Sequence, residues 1–304
     1  MQTFFYLFTI FLDNKMEEIS IEVIKERLLK VFKFTIDFLE QHNFHYVAAC
    51  GTVLGAVRHK GFIPWDDDID IYLPRKEYNQ LITMRDELQK QGYDIQSINQ
   101  LGYYLPFAKM IDNNTTIWEE ERFPYITGIY VDIYPMDCFD ISDLKLKLMQ
   151  GRSMQLFRRY QIAIHPFTKK KLLYDIKHIH PNRVKIHLQK KLCKNVPEKY
   201  LNKFKRFQDK YSSYTGNKCV CVTQSRGLVF QKEWFEDPVY MDFEGIKIKI
   251  PKDYKTYLTL FYGDYMQLPP EDKRHSDHKR VYMNLNKKMT LEEVKKEINY
   301  KITI

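Results

Sequence analysis

The chain has 304 residues, is 44% hydrophobic and 15% aromatic, and has only 11 glycines and 12 prolines; this excludes a disordered polymer and suits one large or two modest globular domains. The formal net charge is +9, yet residues 141–210 hold 19 Lys plus Arg against 4 Asp plus Glu, so that stretch carries +15 and the rest of the chain −6. Five scattered cysteines (Cys50, Cys138, Cys193, Cys219 and Cys221) lack the spacing of a disulfide scaffold or a paired zinc knuckle, and read as core or bystander thiols in a reducing cytoplasm.

In chain order, the apolar run Phe4 to Leu12 is far shorter than the roughly 20 residues of a membrane-spanning helix, and no Lys or Arg precedes it as in a signal peptide. Residues 1–15 are therefore expected to be an extension or an upstream-start artefact before Met16. From Glu17 to about Gln41, Ile21, Ile24, Leu28, Val31 and Phe38 recur with the period of an amphipathic helix. Tyr46 to Cys50 reads as a buried strand ended by Gly51-Thr52, with one or two helical turns over Val53 to Arg58. Ile69 to Leu73 is a second strand, stopped by Pro74, and Lys76 to Gln91 a helix. Tyr93 to Ile98, Tyr104 to Ile111 and Ile129 to Tyr134 follow as strands. The basic stretch is helical, broken near Pro166, Pro181 and Pro197. A hairpin, Tyr240 to Phe243 with Ile246 to Ile250, turns at Glu244-Gly245, and a helix from Asp253 to Tyr262 stops at Gly263. Alternating helices and strands in the first half argue an α/β or α+β fold rather than an all-helical one.

The most informative segment is Trp65-Asp66-Asp67-Asp68-Ile69-Asp70-Ile71-Tyr72, with four carboxylates in five positions. Extended backbone sends Asp66, Asp68 and Asp70 to one side and Asp67 to the other. Like charges that close repel unless neutralised, and the usual neutraliser is a hard divalent cation, Mg²⁺ or Mn²⁺, which also bridges to phosphates. Asp132 lies between Val131 and Ile133 in a strand, an expensive place for a carboxylate without a metal or a partner. A Gly-Thr turn (Gly51, Thr52), the Asp68 and Asp70 pair, and the later Asp132 together can hold one or two metal ions and set a phosphate against backbone amides.

The ordered triple resembles the nucleotidyltransferase superfamily, a mixed β-sheet flanked by helices. The run Gly51-Thr-Val-Leu-Gly-Ala-Val-Arg58-His-Lys60-Gly-Phe-Ile-Pro-Trp65-Asp66-Asp-Asp68-Ile-Asp70 is similar to the signature of the LicD/fukutin family of phosphotransferases. Phe107-Ala-Lys109, Gly128 to Asp137, and Tyr262-Gly-Asp-Tyr-Met266 with Leu268-Pro-Pro270 extend the resemblance over roughly residues 17 to 280. Cys50 departs from it, standing where many relatives carry a second glycine. The resemblance implies a catalytic core over 16–140, a basic helical insertion over 141–215, and a C-terminal hairpin-helix part, 216–304, completing the same domain. It further implies transfer of a phospho-alcohol such as phosphocholine from a CDP-alcohol donor to a sugar hydroxyl of a surface glycan, lipid-linked or not. Asp68, Asp70 and Asp132 would hold the metal or act in catalysis, with Asp132 as ligand or proton acceptor, and Asp66 as a further ligand or a support.

Gly51, Thr52, Arg58, Lys60 and Lys109 are candidates for phosphate contact; the alternative for Lys109 is an ion pair with an aspartate of the cluster. His275 and His278 are candidates for substrate or metal contact, and Trp65 and Trp118 for stacking or a cation–π cage, with core packing the alternative. Cys219-Val-Cys221 reads as a strand fragment. The basic stretch fits an amphipathic surface resting on anionic lipid, a solvated helical face, or nucleic acid, for which no reader motif is present. A cytoplasmic enzyme, peripheral to the inner membrane face if its acceptor is lipid-linked, is the expectation.

Overall fold

The computed structural model describes residues 19–165, 169–177, 181–192, 196–224, 227–276, 278 and 280–300; the expected extension 1–15, Pro166 and Cys193 lie outside them. Helix α1 (Ile21–Gln41) starts at Ser20, whose Oγ accepts the Val23 amide, and buries Leu28, Val31, Phe32 and Leu39 on one side. It lies across the central strands of a seven-stranded mixed sheet.

That sheet begins with β1 (Val47–Ala48), which is cut short because Cys50, at φ +47°, already opens helix α2 (Cys50–His59). Gly51 and Thr52 are therefore in the first turn of a ten-residue helix, longer than the sequence suggested. β2 (Asp70–Pro74) leads into α3 (Arg75–Leu81) and α4 (Arg85–Lys90), two helices where one was expected. The break falls at Ile82-Thr83, where the Thr83 hydroxyl and amide both bond the Gln80 carbonyl in place of the helical ladder.

β3 (Tyr93–Gln96) pairs antiparallel with β4 (Ala108–Asp112), which starts later than expected because Pro106 has no amide to give a ladder. β5 (Thr116–Trp118) precedes β6 (Tyr130–Phe139), the central strand. The sheet runs β1-β2-β6-β4-β3, with β2 and β6 parallel and the other pairs antiparallel.

After β6 come the helices α5 (Asp143–Ile164), α6 (Lys169–Lys177), α7 (Pro181–Leu192) and α8 (Pro197–Lys210). The chain then returns in β7 (Lys218–Val220), hydrogen-bonded to the end of β6, so the basic stretch is an insertion between neighbouring strands. α5 and α8 bury Leu156, Phe157, Tyr160 and Phe204 between them.

Cys138 and Cys219 face each other across the β6–β7 ladder and are joined as a disulfide, their Cα atoms 4.0 Å apart. These cysteines are in the core, as one of the two readings had it, but this pair is not free thiols. The pairing bridges 81 residues and is set by register, which cysteine spacing does not reveal. It also removes the cysteine argument for a reducing compartment.

β8 (Phe230–Gln231) extends β7, and α9 (Glu233–Glu236) leads to the hairpin β9 (Val239–Phe243) and β10 (Ile246–Ile250). Its two-residue loop has both φ angles positive, Glu244 at 48° and Gly245 at 76°, the geometry that matches strand twist. α10 (Tyr254–Tyr262) is capped by Asp253 and ended by Gly263 at φ +66°, as expected. β11 (Tyr282–Asn284) pairs with β5, and α11 (Leu291–Glu297) opens with a Thr290–Glu293 capping box. One core joins α1, the sheet, the hairpin and α10. Among the described residues no helix is long and apolar enough to cross a membrane.

Candidate functional site

The parallel β2–β6 ladder sets Asp70 directly beside Asp132. Their side chains rise on the same face, continued along the strands by Tyr72 and Tyr134. Asp66 to Ile69 are an extended lead-in outside the ladder, and alternation holds through them. Asp66, Asp68 and Asp70 line a cleft of about 840 Å³, whereas Asp67 turns away. The hydroxyl of Thr52 accepts the Asp70 amide at 2.8 Å, tying the first turn of α2 to the acidic strand. Gly51 is required for closeness: a Cβ there would stand 2.7 Å from Asp66 Oδ2.

Electrostatically the cluster is a site short of positive charge. Burial, then the charge of Asp68, pushes the Asp66 carboxyl up to about 8. Burial, then Asp132 and Asp67, pushes Asp68 up to about 7. Asp70 is driven well above the usual carboxylate range by burial and then by Asp68 and Asp132, and its Oδ1 is buried without a hydrogen-bond partner. Asp132 is also raised by burial, against the pull of Lys109. An orphaned buried carboxylate oxygen among mutually repelling carboxylates is a donor set suited to a hard cation. No three His, Cys, Asp or Glu side chains among the described residues form a finished cage, and Mg²⁺ asks for none, since it keeps water and substrate phosphate in most of its coordination positions.

Lys109 resolves between its two alternatives. Its ammonium, 2% exposed, sits 3.0 Å from Asp132 and 3.2 Å from Glu119 and over the Tyr130 ring, and it does not line the cleft. It neutralises Asp132 from behind. Arg58 does line the cleft; its guanidinium donates to the carbonyl of Tyr265 at 2.8 Å and to His59 Nε2 at 2.9 Å. Lys60 does not join them: it is exposed at the far end of α2, and its carbonyl accepts the Glu244 amide of the hairpin turn. His275, His278 and Trp65 line the cleft, with Arg274 over the Trp65 ring. Trp118 takes the core alternative: its indole N–H donates to the carbonyls of Glu120 and Phe123, in a cluster with Tyr282 and Val294.

Sequence reasoning missed the anchors of the acidic segment. Asp67 accepts from Ser276 Oγ at 2.6 Å and pairs with Arg280; beside them His278, already a candidate, sets its Nε2 3.4 Å from Asp68. The signal was available in principle, since a carboxylate turned from its neighbours needs a cation of its own. Lys25 of α1 donates to the carbonyls of Ile63 and Pro64, 3.1 and 2.7 Å away, fixing the loop before the cluster. Tyr257 of α10 accepts the Cys50 amide at 2.9 Å and so holds the positive-φ residue at the head of α2.

The protein is α+β, with a mixed sheet whose parallel pair sets Asp132 beside Asp70, and Asp70 meets the first turn of α2 and the cleft. Residues 43–174 match the family model described as LicD/FKTN/FKRP, nucleotidyltransferase domain. The chain is 28% identical over 261 residues to the lipopolysaccharide cholinephosphotransferase LicD of Haemophilus influenzae, an alignment covering 82% of this chain and 92% of that protein. It is also similar to uncharacterized proteins of Rickettsia prowazekii (30% identity, 43% of this chain and 48% of that protein) and Rickettsia typhi (32%, 38% and 36%). Residues 43–174 thus resemble the LicD-type nucleotidyltransferase domain, and the similarity to the Haemophilus protein extends over most of the chain.

Proposed function

We propose that this protein is a divalent-cation-dependent phosphotransferase that moves a phospho-alcohol, phosphocholine foremost, from a CDP-linked donor to a sugar hydroxyl of a surface glycan such as lipopolysaccharide or teichoic acid. The observation that carries this reading is the Asp70–Asp132 register pair, with Asp68 and Asp66 beside it on the cleft and one buried oxygen of Asp70 unsatisfied. The named activity of the Haemophilus relative, matched along nearly all of its length, supports it.

Asp68 and Asp70 would hold Mg²⁺ or Mn²⁺, with Asp132 completing the set and Asp66 beside it. The ion, when bound, offsets charge on the donor's phosphate oxygens. The side chains do the rest. Arg58 and Gly51 line the cleft where donor phosphates would be oriented. Asp66, which lines the cleft beside the metal-holding carboxylates, takes the proton of the acceptor hydroxyl as that hydroxyl's oxygen bonds to the phosphorus bearing the alcohol. The bond from that phosphorus to CMP breaks, and CMP leaves with the electron pair.

The test is release of CMP from CDP-choline with Mg²⁺ and a glycan acceptor. The expected result is CMP formation that Asp68→Asn abolishes. Pyrophosphate release from an NTP instead would assign nucleotidyl transfer. No Mg²⁺-dependent rise in thermal midpoint with any nucleotide would make this a binding protein.

A further inference from the structure

We infer that the outward face of α5 is a docking surface for an anionic lipid bilayer. α5 buries Leu146, Met149, Leu156, Phe157 and Tyr160 toward its neighbours, so the opposite side of a solvated helix should be polar. It is not. Leu144 and Leu148 are 68% and 64% exposed there. With Gly151 and Gln155 they follow the i, i+4, i+7, i+11 spacing of one line along the helix. Helical geometry sets Lys145 and Arg152 along one edge of that line and Lys147 and Arg158 along the other, all four exposed. Among the described residues nothing lies within 4 Å of where a Gly151 side chain would be, and Leu144 and Leu148 to either side of this stretch stay exposed.

The feature is not confined to two leucines. Among the described residues, seven of the fourteen exposed large apolar side chains fall between Ile141 and Val196, within the region of greatest positive charge. An apolar strip edged by cations matches a bilayer of anionic headgroups: leucines enter the acyl boundary while Lys and Arg stems snorkel to phosphate. A nucleic-acid face would want the cations and gain nothing from the leucines. The occupant is therefore lipid. The same helix carries Met154, which lines the catalytic cleft, so docking through α5 brings the cleft to the membrane surface. The inference stands on exposure and charge alone, independent of the proposed transfer chemistry.

The experiment is co-sedimentation of the full chain with vesicles of phosphatidylcholine, with and without phosphatidylglycerol, at near-physiological salt. Binding is expected only with phosphatidylglycerol, weakened about tenfold or more by L144E/L148E. K145Q/R152Q should weaken it with the leucines intact. Because all four side chains are exposed, both variants should keep the parent's thermal midpoint and its CMP release with a soluble acceptor. Failure of the parent to bind phosphatidylglycerol vesicles overturns the inference. So does equal binding by L144E/L148E, and so does retention of RNA with vesicles ignored. Loss of CMP release alone, with vesicle binding intact, would bear on the transfer chemistry and leave the docking surface standing.

Discussion

The acidic strand region and the basic helical insertion are opposite solutions to concentrated charge. In the first, strand register fixes Asp70 against Asp132, burial magnifies their repulsion, and each neutralising contact is specific: Lys109 behind Asp132, Arg280 under Asp67. In the second, a stretch whose sequence carries an excess of fifteen positive charges sets Lys145, Lys147, Arg152, Arg158 and Lys203 exposed on helix faces, where repulsion is screened and no register is needed. Function that depends on a single atom's position belongs in the first kind of structure, and function that depends on an averaged field belongs in the second.

The sharpest break between them is catalytic. Asp68→Asn and Asp70→Asn should each lower transfer by about 10³-fold or more, read as CMP release, because the carboxylates are asked to bind the ion and align the phosphates. Asp70→Asn should leave the thermal midpoint of the metal-free protein at or above the parent's, since burial and like charges already hold that carboxyl toward its neutral form. Loss of both activity and stability would mean that the cluster is structural. Substitutions on the outward face of α5 should leave CMP release with a soluble acceptor unchanged.

Next is Lys109→Met, expected to destabilise by about 3–5 kcal/mol in denaturant unfolding, since it leaves Asp132 and Glu119 buried without their shared cation. By contrast, Lys203→Met, an exposed cation of α8, should stay within about 0.5 kcal/mol of the parent. A small effect at Lys109 would mean that the buried carboxylates have protonated rather than remained charged.

Much of this contrast was legible in the chain. Alternation along Asp66 to Asp70 placed three carboxylates on one side and Asp67 on the other, and the β-branched neighbours of Asp132 demanded a partner there. The Glu244-Gly245 turn and the Asp253 to Gly263 helix were readable because their signals are local. What could not be read is what depends on contacts distant in sequence. Arg280 is 213 residues from Asp67, and the Cys138–Cys219 bridge closes over 81 residues of insertion. Trp118 looked like a possible cage wall because nothing local reveals that Phe123 and α11 close over it.

A pH series sharpens the acidic side. Asp66 and Asp68 have folded-state values raised to about 8 and about 7, so the folded metal-free protein holds protons there that the unfolded chain gives up near the ordinary carboxyl value. Their stabilising contribution is full below that ordinary value and is lost as pH climbs through 7 and 8. The thermal midpoint in EDTA should therefore fall between pH 5 and pH 8.5, and added Mg²⁺ should raise it more at pH 8.5 than at pH 5. A midpoint flat across that range would mean that the cluster is solvated enough to ionise normally.

The smallest effect probes the insertion. Gly151 stands in the interior of α5 with open space around it, and a glycine there lowers helix stability by roughly 0.5–1 kcal/mol relative to alanine. Gly151→Ala should raise stability by about that amount in denaturant unfolding and leave CMP release untouched. The same change at Gly51 should do the reverse, because its Cβ would press on Asp66 Oδ2 at 2.7 Å: activity falls and stability does not rise. One substitution made in two helices thus separates a position fixed by a site from a position fixed by nothing inside the fold. If Gly151→Ala also weakens binding to phosphatidylglycerol vesicles, the flat gap between Leu148 and Gln155 is part of the docking face and not an idle flaw in the helix.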